Sequence, residues 1–340
     1  MPTAPPPLPI LRVSLLRSFL RRPVGALASL ALVTAMAGCT STGASTTDSG
    51  EAEVVQVGTL RGQPHFYAPY LYAEHAEGDV EFEVVALETA PALNDALASG
   101  SVDFAVGSIT ATIAGAAAGR DVRIVAAAAD GGSGIVGTPE IRSVRDLVGK
   151  RVGYLESSSQ LVALRLILER EGVNVEDLEL VSLSAPEFFN AFNTGQIDAF
   201  AAPEIGVSLA LSAGGQAIAD PYSTEIGRLN IALLTTKALI EENPELVQAV
   251  VDTHAATTAY MAENQDEWLP EMIEEYGGDQ EVLESALDNF WLRADLSPTY
   301  EEQIGNLAVQ MARLGMIQET PALEDIVDSS FASRDEPAGS

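Results

Sequence analysis

Hydrophobic positions in this chain recur in two rhythms, and the rhythms alternate. Residues 54–58, 103–106 and 122–129 are short apolar runs, and 80–87 alternate apolar with polar; each has strand length. Between them lie helical patterns over 66–76, 91–99 and 109–118. A second series opens after Gly137-Thr138-Pro139. It has strand patterns at 151–155, 178–183, 197–201 and 216–219. Its helices fall at 160–171, where Leu161, Leu164, Ile167 and Leu168 share a face, and at 187–193, opened by the capping-box spacing of Ser184 and Glu187. Residues 229–235 are apolar and bounded by turn residues, and read as a strand returning to the first series. From Asn243-Pro244 the pattern is helical to the end, with Asn243 as N-cap and Pro244 in the first helical position. Strands alternating with helices predict an α/β protein whose mostly parallel sheets are flanked by helices. The helical tail is expected to wrap back onto the first series.

One apolar run obeys neither rhythm. Val24 to Gly38 is 15 residues long, follows Arg12, Arg17, Arg21 and Arg22, and ends at Cys39, the only cysteine. A bilayer span takes roughly 20 apolar residues, so the run is too short to cross comfortably; with its basic flank it reads as a secretory leader. The polar stretch of Ser, Thr and Gly behind it reads as a tether. Without residues 1–38 the chain keeps 302 residues, enough for two lobes. That part holds 14 basic and 49 acidic side chains, a net charge of −35. Phosphate binding needs a basic patch, so a nucleic-acid partner is excluded. A single cysteine excludes a disulfide within the chain.

Several phrases carry a resemblance. Met36-Ala37-Gly38-Cys39 resembles the lipobox of bacterial lipoproteins, with Met36 where leucine is usual; the resemblance implies lipidation at Cys39. The segments 94–107, with Gly100 and Asp103, and 189–199, with Gly195 and Asp198, resemble the helix, Gly-x-x-Asp, strand unit of solute-binding proteins. Residues 144–153 resemble their crossing into the second lobe, and 243–251 their Asn-Pro-Glu-Leu helix. Together these are similar to the substrate-binding proteins of ABC importers for sulfonates, nitrate, taurine and thiamine-type pyrimidines. The resemblance implies a two-lobed, venus-flytrap periplasmic-binding-protein fold with two hinge crossings. The implied layout is 1–38 leader, 39–53 tether, 54–137 with 230–333 as lobe I, 138–229 as lobe II, and 334–340 as tail. It implies a monomer on the outer face of the cytoplasmic membrane, a small organic solute, sulfonate or pyrimidine-like, and permease subunits as partners. It implies no cofactor and no catalysis. An enzyme of the same fold, or a ligand-sensing module, is the alternative.

Ligands of open α/β sheets sit beyond the carboxyl ends of the strands. The loops there supply the candidate ligand contacts. After the first strand come Arg61, His65 and Tyr67, with Phe66 read as core. Thr89 follows the second strand, and Ser108 and Thr110 the third. In the second lobe Ser157, Ser158 and Ser159 open a helix, with Ser157 and Gln160 at capping-box spacing and free N–H groups suited to an oxyanion. Glu204 matches the family's acidic cleft position, but Pro203 stands where an aromatic is usual. Tyr222 can supply an aromatic wall, and Arg228 can neutralise an anion. His65, His75 and His254 show no metal spacing, and the last two read as surface or helix-face residues. Gly131 to Gly134 reads as a hinge or cleft loop, because no Lys-Ser/Thr follows as in a phosphate loop.

Overall fold

The computed structural model describes residues 53–78 and 80–335; the leader, Cys39 and nearly all of the tether, like residues 336–340 of the tail, lie outside the described residues. Among the described residues the strands are β1 (Glu53–Leu60), β2 (Val80–Leu87), β3 (Phe104–Ser108), β4 (Arg123–Gly131), β5 (Ser133–Gly137), β6 (Arg151–Tyr154), β7 (Glu179–Ser182), β8 (Ala199–Pro203), β9 (Gln216–Ala219), β10 (Leu229–Thr235) and β11 (Phe290–Leu292). They form a six-stranded sheet in the order β11-β4-β10-β3-β1-β2 and a five-stranded sheet in the order β7-β6-β8-β5-β9. The helices are α1 (Ala68–His75), α2 (Ala90–Ala98), α3 (Ile109–Ala117), α4 (Ser159–Arg170), α5 (Phe188–Asn193), α6 (Gly206–Ser212), α7 (Lys237–Glu242), α8 (Pro244–Glu263), α9 (Gln265–Tyr276), α10 (Gln280–Leu287) and α11 (Pro298–Arg313). No helix among the described residues is long and apolar enough to cross a membrane.

The α/β two-lobed expectation holds, and the sheets prove mixed. β1 pairs in parallel with β2 and β3, and β6 with β7 and β8. The two strands that begin after a crossing, β5 and β10, insert beside β8 and between β3 and β4 and run against them. A chain that enters a sheet from the other lobe starts at the shared end, so its direction is reversed. Residues 133–137, expected with the first lobe, pair within the second sheet. The chain passes between sheets at Gly131-Gly132, whose φ of 79° and 63° suits glycine, and returns over 220–228. The expected all-helical tail is interrupted by β11, which pairs antiparallel with β4.

Local signals explain the helix starts. Asn243 accepts from Leu246 N at 3.2 Å, with Pro244 behind it. Thr89, Ser108 and Ser158 each accept an N–H three residues on. Ser158, not Ser157, is therefore the cap of α4. One core layer joins the first sheet to α1, α8 and α9 through Tyr72, Val247, Trp268 and Met272. The other joins it to α2, α3 and α11, and also takes in Val162, Ala163 and Leu166 from α4 of the second lobe. Fully burying such a side chain contributes about 1.5–3 kcal/mol, so the two lobes share part of their stability through α4 and α11. His254, read as a surface or helix-face residue, lies on the buried face of α8 with no exposure.

Candidate functional site

Register fixes where the strand ends meet. Ser108 opposes Ile231 at the start of β10, Gly131 opposes Phe290 at the start of β11, and Pro203 opposes Ser133 at the start of β5. The carboxyl ends of β3, β4 and β8 thus gather around the two crossings, where ligands of such sheets bind.

The crossings are held by a buried polar cluster. Gly131 N donates to Arg228 O at 2.7 Å, Gly132 N to Asn289 O at 2.7 Å, and Glu204 N to Gly132 O at 2.9 Å. Ser133 N donates to the Tyr222 hydroxyl at 2.9 Å, and that hydroxyl donates onward to Asn289 Oδ1 at 2.7 Å. Asn289 Nδ2 reaches Ser133 O at 3.0 Å and Glu204 Oε1 at 2.9 Å. Glu204 Oε2 accepts from both Ser208 N and Ser208 Oγ. Gln160 Nε2 donates to Ser133 Oγ at 2.7 Å. Burial pushes the Glu204 carboxyl up from its ordinary value, and the bonds from Asn289 and Ser208 oppose that.

His65 comes from the loop after β1 and is 2% exposed. Its ring lies 4.1 Å from that of Phe66 and 4.7 Å from that of Phe290, and its Nδ1 has no partner. Burial lowers its pKa to about 3, so it is a neutral imidazole with an unused nitrogen. Phe290 closes on Gly132, where a Cβ would lie 2.1 Å from its ring.

The predicted contacts divide into neighbourhoods. Ser159, Tyr222 and Arg228 line one small pocket with Ser133 and Gln160. Glu204 and Tyr222 meet through Asn289. Ser108 and Thr110 share a hydroxyl contact of 2.8 Å at the start of α3. Ser157 is exposed with φ of 53°, and Ser158 spends its hydroxyl on Leu155 O and Leu161 N. Thr89 is exposed at its cap. Arg228 lies 4.1 Å over the Trp291 ring. Arg61 is half exposed, 4.0 Å from Glu275. Tyr67 is buried with Tyr70, Trp268 and Tyr276 in an aromatic cluster, and burial beside Glu271, Glu275 and Glu74 pushes its hydroxyl up to about 12. The structure therefore does not bring Arg61, Tyr67 and Thr89 to the crossings. Sequence reasoning passed over Asn289 and took Ser133 only as part of a hinge or cleft loop; the visible signal for Asn289 was an Asn before an aromatic pair, inside what reads as a helical tail.

A recess of about 480 Å³ lies elsewhere, between α4, residues 224–225 and α11. Arg313 pairs there with Glu169, Gln310 donates to Glu225 and Arg170 donates to Ser223, and no predicted site residue lines it. Among the described residues no group of three or more His, Cys, Asp or Glu is arranged to hold a metal ion.

Comparison with known proteins agrees with this architecture. The profile of the family described as NMT1/THI5 like matches residues 75–268. A Bacillus subtilis (strain 168) protein described as an aliphatic sulfonates-binding protein is 24% identical over 91% of this chain and 96% of its own length. One of the same description from Escherichia coli (strain K12) is 24% identical over 68% of this chain and 72% of its own. Among solved structures, the alkanesulfonate-binding protein SsuA from Xanthomonas axonopodis pv. citri, bound to MOPS, superposes with a TM-score of 0.72 at 19% identity, over 83% of this chain and all of that one. The periplasmic aliphatic sulphonate binding protein SsuA from Escherichia coli gives 0.71 at 19% identity, over 84% and 94%.

Proposed function

From the premise that this chain belongs to the NMT1/THI5-like family, we propose that it is an extracytoplasmic solute-binding protein. It captures a small organic solute, sulfonate or pyrimidine-like, between its lobes and delivers it to an ABC importer. It is tethered by lipid at Cys39 and performs no chemistry on the solute. The observation that carries this reading is the convergence of strand ends from both lobes on one buried polar cluster at the two crossings. A solute touching both lobes favours whichever lobe arrangement makes those contacts, and a permease can sense that arrangement.

The cleft offers two kinds of wall. At the start of α4 the Ser159 hydroxyl, the helix N–H groups and Arg228 suit oxyanion atoms. At the other wall Glu204 and the unused His65 nitrogen suit a donor on a ring or amine. The names of the relatives in Bacillus subtilis and Escherichia coli favour a sulfonate.

The test is a thermal-shift screen of the full chain in detergent against alkyl sulfonates, taurine, nitrate, thiamine, aminopyrimidines and amino acids, with product analysis. A solute at 100 times its Kd stabilises by about 2.7 kcal/mol, which moves the midpoint by several degrees. One class of solute raising the midpoint unchanged supports the reading; conversion of the solute overturns it. Cys39→Ala should release the protein from membranes with solute affinity intact, and retention on membranes removes the lipid anchor.

A further inference from the structure

Asn289 lies between α10 and β11 and uses every polar atom of its amide. Its Nδ2 donates to Ser133 O and Glu204 Oε1, its Oδ1 accepts from the Tyr222 hydroxyl, and its main-chain oxygen accepts from Gly132 N. Those partners lie on the first crossing, the end of β8 in the second lobe, and the second crossing. The flanking rings extend the clamp: Phe290 fills the space over Gly132 and meets His65, and Trp291 meets Tyr222 edge-on at 5.7 Å. Asn289 also falls outside the residues that the family profile matches.

We propose that Asn289 is the positioning residue of the solute cleft. It sets the Glu204 carboxylate against the Tyr222 hydroxyl and thereby fixes the angle at which the two lobes present their strand ends. This rests on the solute-binding reading above. The physical reason is the charge pattern around its Nδ2. Glu204 Oε1 and Ser133 O are both acceptors, and the Asn289 amide stands between them as a shared donor. Without that donor Glu204 Oε1 loses its partner in a buried site, and Ser133 O keeps only the Tyr222 hydroxyl at 3.1 Å, which is unfavourable.

The experiment is Asn289→Asp in the full chain. The change is nearly isosteric and keeps an acceptor for Tyr222, but sets a second carboxylate against Glu204. Ethanesulfonate and 4-aminopyrimidine, measured by calorimetry, should bind at least about tenfold more weakly than to wild type. A solute-free readout runs beside it. Trp291 is 37% exposed and Trp268 1%, so acrylamide quenching reports Trp291, two residues from the substitution. Quenching should rise in Asn289→Asp and return toward wild type when Glu204→Gln is added, because the glutamine amide restores a donor between the two side chains. A role confined to stability lowers the thermal midpoint without changing quenching and without rescue, and that result overturns the proposal. Unchanged affinity and quenching overturn it as well. If wild type binds neither probe nor any solute of the wider panel, the functional reading fails, and the quenching and rescue still decide the role of Asn289.

Discussion

Acid should unfold this protein partly through His254, and the size of the effect can be worked out. The imidazole has no exposure, and its two nitrogens have fixed roles. Nε2 lies 2.8 Å from Ala127 O, which can only accept, so Nε2 carries the proton. Nδ1 then accepts from the Tyr72 hydroxyl at 2.6 Å. A second proton would require the Tyr72 hydroxyl to turn and accept, and it would place a charge in the core between α8, α1 and β4, where nothing of opposite sign meets the ring. Burial accordingly lowers the pKa from 6.5 to about 4, with the Ala127 bond opposing the shift. The unfolded chain takes up this proton near pH 6.5 and the native chain only near pH 4. Between those values the unfolded state binds more protons, so stability rises with pH and falls as pH drops through the window. The full loss is about 3 kcal/mol, of which about 2 kcal/mol is already gone at pH 5. The assay is urea unfolding at pH 8 and pH 5 for wild type and His254→Gln, since glutamine can donate to Ala127 O and accept from Tyr72 without titrating. His65, lowered to about 3, acts in both proteins and cancels in the difference. Wild type should lose about 2 kcal/mol more than the variant between the two pH values. Equal losses in the two proteins would refute the reasoning.

Two further substitutions probe the crossings and their support. Arg293 donates to Asp130 Oδ2 at 2.6 Å and makes two bonds to Asp295, and both carboxylates are less than a tenth exposed. Arg293→Met should therefore cost about 3–5 kcal/mol in urea unfolding at neutral pH; the cost should shrink in acid, because burial already raises the Asp130 pKa and the carboxyl takes up a proton. Gly132→Ala puts a Cβ 2.1 Å from the Phe290 ring at φ of 63° and should cost about 2–4 kcal/mol from left-handed strain and overpacking. Phe290→Val in the same chain should recover part of that loss by making room, and a double variant no more stable than Gly132→Ala would show that the backbone alone is responsible.

How much of this molecule was legible in the sequence depended on how locally each feature is encoded. Helix starts were readable because the cap and its N–H partner lie three residues apart: Asn243, Thr89 and Ser184 all behave as their spacing implies. Strands β1 to β4 and β6 to β10 were readable because their apolar runs are of strand length and bounded by turns. β5 was missed because serine and glycine dilute its pattern: Ser133, Gly134 and Gly137 leave only Ile135 and Val136 as apolar side chains, and its pairing with β8 is nonlocal. β11 has three residues and exists only because β4 offers an edge there. Tyr67 shows the same limit within the candidate site. Its place after the first strand suits a cleft, but Trp268 and Tyr276, some 200 residues on, enclose it in an aromatic cluster. His254 read as a surface or helix-face residue because periodicity alone cannot reveal that Tyr72 and Ala127 wait to satisfy both nitrogens. Asn289 is the limiting case. Its side-chain amide links residues 133, 204 and 222 and its main-chain oxygen takes in residue 132, and each of those distances along the chain exceeds any motif spacing. A two-crossing fold requires this: the residues that hold the lobes to each other must come from segments separated by a whole lobe of sequence, so the chemistry of the hinge is the part of the site that a linear reading is least able to assemble.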